Sequence, residues 1–538
     1  MRGVIGRTPA AALFLILGVA PATAAQPQLG KFVHYEMSGL TLLTDHGDQE
    51  ARQVVEELAK FRILLEKTLT LKAENTAVPT HIVIVSGAEW DKYLRTSESV
   101  AGWFQRTPFA NYLAINGDSE GVGGNPLHVV LHEYTHYILR SQFANDYPAW
   151  FNEGLAETMS YVTFDQGHTA HLEIPIMRRF GALIADWIPF ERMLHVDYDS
   201  PEYQGHKITD GFYSQAWLTV HYGLYENKQF GAQMFEYLSQ VNRMVAIDEA
   251  ARSAFGANLA DVDRRLKLYA RSTAMQTGTV QLGSVPRADL GIGKPVAEAD
   301  ALAELINLML ELRIAPDRVR AAIGALNARE PDSTRSAVLR ARAAQLAKDD
   351  RDLFLAMTAA ENRLAPEDWE SRRELALVLL ERSHGKAVKE TLSDATRQDL
   401  ERALAWFGEA LAQNPEDVES LWGDGTAATD LHSNLDLAER YLLAAYAQQP
   451  TNTDVALALA NYMGTNHRSD ELVVYLKDLV RYETDLTTRK WAADTLAETE
   501  KYLVERQRIE EENRKIEEEN RKIDEENAAR KAKRRKWF

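Results

Sequence analysis

Cysteine is absent from the 538 residues of this sequence, which excludes both disulfide bonds and a cysteine-linked lipid anchor. The fold must therefore be held by its hydrophobic cores, which a chain of this length can supply. Basic residues are outnumbered, because 61 Lys and Arg stand against 79 Asp and Glu and give a net charge of -18. The sequence also lacks a basic groove interleaved with aromatic residues. Nothing predicts a nucleic-acid partner. At roughly 150 residues per domain, the length predicts three or four units.

The N-terminus lacks an apolar run long enough for a typical membrane-spanning helix, which needs about 20 residues. Its apolar run covers only residues 10–20, follows Arg2 and Arg7, and is followed by the small residues of PATAAQ. This order is typical of a cleavable signal peptide, here residues 1–25, and the alternative is an uncleaved anchor. The protein is predicted to be exported, most plausibly to the periplasm.

The rest of the chain divides by composition into four parts. In residues 26–276 strand-like segments precede helical ones, which predicts an α+β domain. Residues 277–296 are rich in Gly and Pro and are predicted to be a linker. Helical repeats are predicted for residues 297–485, and a charged helical tail with a basic C-terminus for residues 486–538. The expected fold is an α+β domain followed by an all-α repeat domain.

The repeats are indicated by the spacing of four prolines. Intervals of 35, 49 and 35 residues separate them, and the middle interval contains a polar insert of about 14 residues. They are Pro331, Pro366, Pro415 and Pro450. The segment RALAWFGEALAQNP resembles the second helix of a tetratricopeptide repeat, with Ala403, Phe407 and Ala410 at the small and aromatic positions. Four repeats are expected, of which the last two match that family, and a protein partner is expected to dock on them.

The tail has a seven-residue pattern of isoleucine and asparagine: Ile509, Ile516, Ile523, Asn513, Asn520 and Asn527. A seam that is half Asn makes a weak coiled coil. Many Glu-to-Lys/Arg pairs at helical spacing favour the alternative, a solvated single helix. Six basic residues lie between Arg530 and Lys536. They could contact anionic lipid, but a solvated tail is the favoured interpretation.

The segment NPLHVVLHEYTHYILR, residues 125–140, contains the pattern H-E-x-x-H. His132 and His136 are four residues apart, so both imidazoles project from one face of a helix and could share one tetrahedral cation. Glu133 lies about 100° round the helix, where it could reach a metal-bound water. The competing interpretation is an ordinary buried helix with two histidines.

A third ligand is predicted from the segment WFNEGLAE, Trp150 to Glu157. Together with H-E-x-x-H it resembles the gluzincin metallopeptidases of the peptidase MA clan. This resemblance implies a zincin-like α+β catalytic domain in which Zn²⁺ is held by His132, His136 and Glu153. The loop between the two motifs is slightly shorter than in the aminopeptidases of that group. Glu157 is the alternative third ligand, or else it supports the site from behind.

The resemblance also implies a mechanism. Zinc would activate a water molecule for attack on a peptide bond, with Glu133 as general base. The oxyanion donor is expected on the segment 210–226, with Tyr213 preferred over His221 and Tyr222. The strand of FANYLAING, residues 109–117, is expected to be the sheet edge that pairs with a peptide substrate. The aminopeptidase signature G-x-M-E-N is absent, which favours an endopeptidase.

The predicted function is an exported zinc metallopeptidase whose repeats dock a partner or substrate. The alternative is a catalytically silent gluzincin-fold protein that binds or scaffolds through its repeats. A third interpretation treats the H-E-x-x-H pattern in a scaffold protein as coincidence.

Overall fold

The structure is a computed structural model. It describes residues 30–37, 40–69, 78–95, 102–119, 126–142, 147–165, 168–197, 200–204, 211–243, 245–283, 293–387, 392–483 and 485–535. The predicted signal peptide, residues 1–25, lies outside the described residues.

The strands of the described chain form two sheets. Their bounds are β1 Val33–Met37, β2 Leu40–Thr44, β3 Thr80–Val85, β4 Gly102–Arg106, β5 Asn111–Asn116, β6 Val162–Phe164, β7 Thr169–Leu172, β8 Thr279–Gln281 and β9 Lys294–Pro295. The larger sheet has the order β4-β5-β3-β2-β1-β9, and the smaller has the order β6-β7-β8. The pairs β2–β3 and β3–β5 are parallel, while β4 is antiparallel to β5.

Helices make up most of the remaining described chain. The first eleven are α1 Asp48–Leu69, α2 Gly87–Glu89, α3 Pro126–Gln142, α4 Ala149–Ser160, α5 Ile176–Ile184, α6 Phe190–Met193, α7 Pro201–Gln204, α8 Gly211–His221, α9 Lys228–Asn242, α10 Ile247–Phe255 and α11 Ala260–Ala270. The rest are α12 Glu298–Glu311, α13 Pro316–Arg329, α14 Thr334–Leu346, α15 Asp350–Glu361, α16 Trp369–Ala387, α17 Asp394–Gln413, α18 Val418–Leu431, α19 Leu435–Gln448, α20 Thr453–Thr465, α21 Ser469–Tyr482 and α22 Leu486–Arg535. Two π-helical turns, Trp90–Leu94 and Tyr222–Glu226, follow α2 and α8.

One face of the larger sheet packs on the helices that carry the predicted metal ligands. Leu42, Ile82 and Leu113 stand opposite one another across β2, β3 and β5, and each is at most 1% exposed. They share a core with Phe61 of α1 and Ile138 of α3. Side chains alternate between the faces of a strand, so the intervening residues of β2, β3 and β5 point the other way.

The opposite face of the sheet packs on the helical repeats. Leu43, Val83 and Ala114 share a second core with Leu302 and Ile306 of α12. Hydrophobic residues on both faces of β3 are therefore buried, as expected for a strand with helices on both sides of the sheet.

Ten helices within the described residues, α12 to α21, form five successive hairpins, and each pair of helices packs together. The sequence indicated four repeats, because only four carry the spaced proline. The prediction of a helical-repeat domain is confirmed in this coarse form. Close packing between hairpins requires Gly423, where a Cβ would lie 2.3 Å from the Phe407 ring.

The repeats wrap against the α+β domain. Phe109 belongs to the core of α18 and α20, and its ring centre lies 5.2 Å from that of Trp422. The Asn452 side-chain amide donates to the Pro108 carbonyl at 2.7 Å. Residues 277–296, predicted to be a linker, contribute β8 and β9 to the two sheets. Periodicity reports that a helix has a buried face but not what covers it, so the sequence did not indicate this contact.

The last helix, α22, packs on α21 only along its first part. Lys477 pairs with Glu500 at 3.1 Å and Asp470 pairs with Arg506 at 2.8 Å. From Gln507 to Lys531 every residue is exposed. No helix in the described part of the chain is long and apolar enough to cross a membrane.

Candidate metal centre

The two motifs of the sequence meet where α3 packs on α4. The Nε2 atoms of His132 and His136 are 3.2 Å apart. Oε2 of Glu153 lies 3.2 Å from Nε2 of His132 and 3.5 Å from Nε2 of His136. Zinc with bonds of about 2.1 Å at tetrahedral angles would place its ligand atoms about 3.4 Å apart. The three donor atoms thus have the separations of one face of a zinc tetrahedron.

The approach of α4 to its neighbours depends on Gly154, next to the carboxylate. A Cβ on this residue would lie 2.4 Å from the Ala216 carbonyl oxygen of α8. Glycine therefore lets α4 sit directly on α8 with Glu153 turned toward α3.

The histidine tautomer suits a metal. Nδ1 of His136 lies 3.0 Å from Oδ1 of Asn152, an acceptor, so Nδ1 carries the proton and donates it. When Nε2 carries no proton, its lone pair is available to a cation placed between it and Oε2 of Glu153, 3.5 Å away. Outer partners of this kind orient metal-binding histidines in known sites. Asn152 was not predicted as a site residue, although it stands beside Glu153 in the NEG motif.

A second group of polar residues lies behind His132. Arg178 Nη2 donates to Oε1 of Glu157 at 2.5 Å, and that oxygen is 3.6 Å from Nδ1 of His132. Glu157 Oε2 is 3.7 Å from Nε2 of His128. Glu157 therefore faces the back of the His132 ring, while Glu153 faces its Nε2 edge. His128, His132 and Glu157 thus form a second group of possible ligands, on the Nδ1 side of His132, beside the group of His132, His136 and Glu153.

The charges of the site call for a cation. Glu153 and Glu157 are 3% and 1% exposed, and Arg178 is the buried cation that pairs with one of them. Burial lowers the pKa of the His132 imidazole, but its bond to Glu153 and the charges of the carboxylates outweigh burial and raise the pKa to about 9. Burial raises the pKa of Glu153, but the two imidazoles outweigh this and hold it well below its usual range. A proton on His132 or a bound metal ion would balance the second carboxylate.

Glu133, the predicted general base, is half-buried where α3 meets β4, and its charge acts on the neighbouring His132 and Tyr213. A Cβ on Gly102, the first residue of β4, would lie 3.2 Å from Cγ of Glu133. The absence of a side chain at Gly102 therefore makes room for Glu133 between α3 and β4.

Two tyrosines lie beside Glu153. The Tyr203 hydroxyl donates to Oε1 of Glu153 at 3.1 Å. The Tyr213 ring centre is 5.7 Å from that of Tyr203. Burial raises the pKa of the Tyr213 hydroxyl, and the negative charges of Glu153 and Glu133 raise it further, so this hydroxyl stays protonated as a donor. Tyr213 thus lies beside the predicted site, and Tyr203 was missed because its segment carries no motif.

The lower-ranked donor candidates are engaged elsewhere. His221 Nδ1 lies 2.8 Å from the Tyr269 hydroxyl, and burial lowers the pKa of His221 to about 4. The Tyr222 ring packs against Phe230. Both residues therefore belong to the core behind α8.

The predicted substrate-binding edge is wrong. Within the described sheet, the strand of residues 109–117 is β5, which pairs with β3 on one side and β4 on the other. The edge on this side of the sheet is β4, whose segment, GWFQR, was not recognised as a strand. Its alternation is too short to stand out from the surrounding polar residues.

Helix α5, which supplies Arg178, has an exposed apolar face. Its exposed members are Ile176, Met177, Phe180, Leu183 and Ile184, between 43% and 78% exposed. The same short helix thus contacts the centre from one side and presents an apolar surface on the other.

No protein-family model and no curated protein matches the sequence. Solved structures of helical-repeat proteins do. PilW, a type IV pilus biogenesis factor, matches at 17% identity over 38% of this chain and 87% of that chain, with a TM-score of 0.32. TTC0263, a thermophilic tetratricopeptide protein of Thermus thermophilus, matches at 19% identity over 37% and 99%, with a TM-score of 0.31. YrrB, a tetratricopeptide protein with an unusual peptide-binding site, matches at 14% over 37% and 92%, with a TM-score of 0.28.

These findings correct the predicted function. The similar structures are helical-repeat proteins, and the comparisons give no evidence of a peptidase domain. The prediction that the chain functions as a zinc metallopeptidase is therefore wrong.

Proposed function

We propose that the protein is a scaffold whose helical repeats hold an acidic segment of a partner protein. The observation that carries this proposal is a groove of about 1170 Å³ between the first two hairpins. It is lined only by residues of the repeats.

The groove combines apolar and basic side chains. Leu346 and Leu355 line it and are each 48% exposed. Six basic residues line it against four acidic ones, in a chain whose net charge is -18. The basic residues are Arg313, Arg320, Arg340, Lys348, Arg351 and Arg363. An acidic segment with apolar side chains complements this lining in both respects.

The two cations on the loop and first turn between α14 and α15 are available to a partner. Lys348 and Arg351 are exposed, and neither pairs within 4 Å with a carboxylate of another described residue. By contrast, Arg340 is paired with Asp352 and Arg363 with Asp332. Lys348 and Arg351, like the exposed Arg313 of the same lining, therefore carry charge that a partner would neutralise.

The test is a titration of the full chain against two labelled peptides, followed by fluorescence anisotropy. One peptide has leucines at helical spacing among glutamates, and the other has lysine in place of each glutamate. We expect saturable binding of the acidic peptide alone. Reversing both groove charges with Lys348→Glu and Arg351→Glu should weaken it by about tenfold or more.

The matched control reverses two exposed charges outside the groove, Arg440→Glu and Lys490→Glu. This control has the same net charge as the groove variant. Equal loss in both variants would mean that the peptide responds to overall charge, and the groove would be discarded as the docking site. No saturable binding would overturn the proposal, and self-association through the groove would make the partner a second copy.

A second proposal concerns the α+β domain. We infer that His132, His136 and Glu153 hold a zinc ion, which would make this α+β domain zincin-like. The separations of the three donor atoms and the tautomer of His136 support it. Zinc would supply the missing positive charge and could polarise a bound water. That the chain is exported, and that it is also an enzyme, stay predictions.

A further inference from the structure

The outer part of α22, residues 507–531, is a helix with nothing packed on it. Every one of these 25 residues is exposed. At 1.5 Å per residue it extends about 37 Å beyond the body of the protein. Ile509, Ile516 and Ile523, between 46% and 56% exposed, recur every seven residues along it.

The repeat assigns each position of a coiled-coil heptad. With isoleucine at position d, the asparagines Asn513, Asn520 and Asn527 fall at position a. The two positions that flank this seam, e and g, are acidic in every heptad. They are Glu510, Glu512, Glu517, Glu519, Asp524 and Glu526. From Ile509 to Asn527 the basic residues lie at b and c, away from the seam, and the pattern ends at Arg530 and Lys531, which fall at d and e.

We propose that this outer helix is a docking surface for a helix of another protein with the same seven-residue seam and Lys or Arg at its flanking positions. The flanking positions set which coiled-coil partners pair, because charges at e and g meet across the interface. Asparagine at a is satisfied by a polar residue of the partner at the same level, which fixes the register.

A second copy of the chain does not fit this surface. In a parallel pair each g position meets an e position of the other helix, and in an antiparallel pair e meets e and g meets g. In either orientation carboxylate faces carboxylate, which disfavours pairing at neutral pH. The helix itself does not need a partner, because Glu510→Arg514 and Glu517→Arg521 are i,i+4 pairs in the favourable order. The acidic flanks thus act as a selection against self-pairing.

The test uses the full chain and three synthetic peptides at about 0.15 M salt. The first has isoleucine at d, asparagine at a and lysine at e and g. The second has glutamate at e and g, and the third has the composition of the first in scrambled order. We expect the chain to be monomeric by analytical ultracentrifugation and to bind the first peptide at least about tenfold more tightly than the other two.

Two triple variants localise the binding to one face. Glu512→Gln, Glu519→Gln and Glu526→Gln neutralise the g positions, whereas Glu511→Gln, Glu518→Gln and Glu525→Gln neutralise the f positions on the far side. Both remove three charges, but only the g variant should weaken binding, by about fivefold to tenfold. Equal effects of the two variants, equal binding of the scrambled peptide, or a dimer of the parent chain at pH 7 would each overturn the proposal.

Discussion

Helix α3 and the outer part of α22 each repeat particular side chains along one face, histidines in α3 and alternating isoleucine and asparagine in α22. In α3 that face is covered by α4, so that His132 and Glu153 come within 3.2 Å. In α22 nothing covers Ile509 or Asn513. The polar groups of α3 are buried, so their charges need partners or a bound cation. The residues of the outer α22 are exposed to solvent and need none. Neither outcome follows from the spacing alone.

The largest expected effect comes from removing the carboxylate that completes the donor triangle. Glu153→Gln keeps the size of the side chain but leaves a neutral amide, a poor zinc ligand. We expect about one zinc ion per chain in the parent and a loss of more than about a hundredfold in affinity in the variant. Elemental analysis after dialysis against a chelator buffer measures this.

Glu133→Gln is the matched control, because it neutralises a carboxylate on α3 that faces β4. It should retain zinc. A parent that folds but binds no zinc even when the metal is supplied would refute the centre, without bearing on the scaffold proposal.

A second test of how burial affects a charged group is a buried carboxylate that has no cation beside it. Asp424 in α18 is 3% exposed and has no ion pair with another described residue. Burial raises its pKa from 3.8 to about 7. At pH 8 Asp424→Asn should therefore stabilise the chain by about 2–4 kcal/mol, at 1.36 kcal/mol for each pH unit of the shift.

The pH dependence has a definite sign. Between pH 3.8 and about 7 the folded chain holds a proton on Asp424 that the unfolded chain releases. Stability therefore falls as pH rises through this window, and the asparagine variant should lack that fall. Denaturant unfolding at pH 5 and pH 8 measures it. The exposed control, Asp494→Asn, should change stability little, and a similar gain there would contradict the burial argument.

The next prediction concerns what orients the His136 ring. Asn152→Ala removes the acceptor that fixes the His136 tautomer but leaves all three ligands in place. Loss of such an outer partner typically lowers metal affinity by about 10–100-fold. Competition with a coloured chelator would measure this, and an unchanged affinity would mean that packing alone orients the ring.

The sequence predicted the ligand helices because each motif is local. His132 and His136 lie within one turn, and Glu153 follows on the next helix. Tyr203 and Arg178 could not be predicted, because neither stands in a recognisable motif, although both contact glutamates of α4. The helical repeats were recognised from their later copies, where proline ends each hairpin.

Their packing on the sheet was not predictable for a different reason. The sequence of β3 indicates two buried faces and that of an amphipathic helix indicates one. Neither pattern indicates which other element covers the face. The contact of Phe109 with Trp422 joins residues more than 300 positions apart. Only the folded chain brings these two apolar side chains together.

The smallest expected effect is in the exposed outer part of α22. Ile516→Ser removes a large apolar side chain, and the same change in a core would cost about 2–5 kcal/mol. Ile516 is 55% exposed and contacts no other element, so the free energy of unfolding should change by less than about 0.5 kcal/mol. Ile138→Ser on α3, where the side chain is 2% exposed, is the matched buried change. Denaturant unfolding of both variants measures the contrast. A large loss at Ile516 would mean that the outer helix is already covered by another copy of the chain, and the selective docking surface would then be withdrawn.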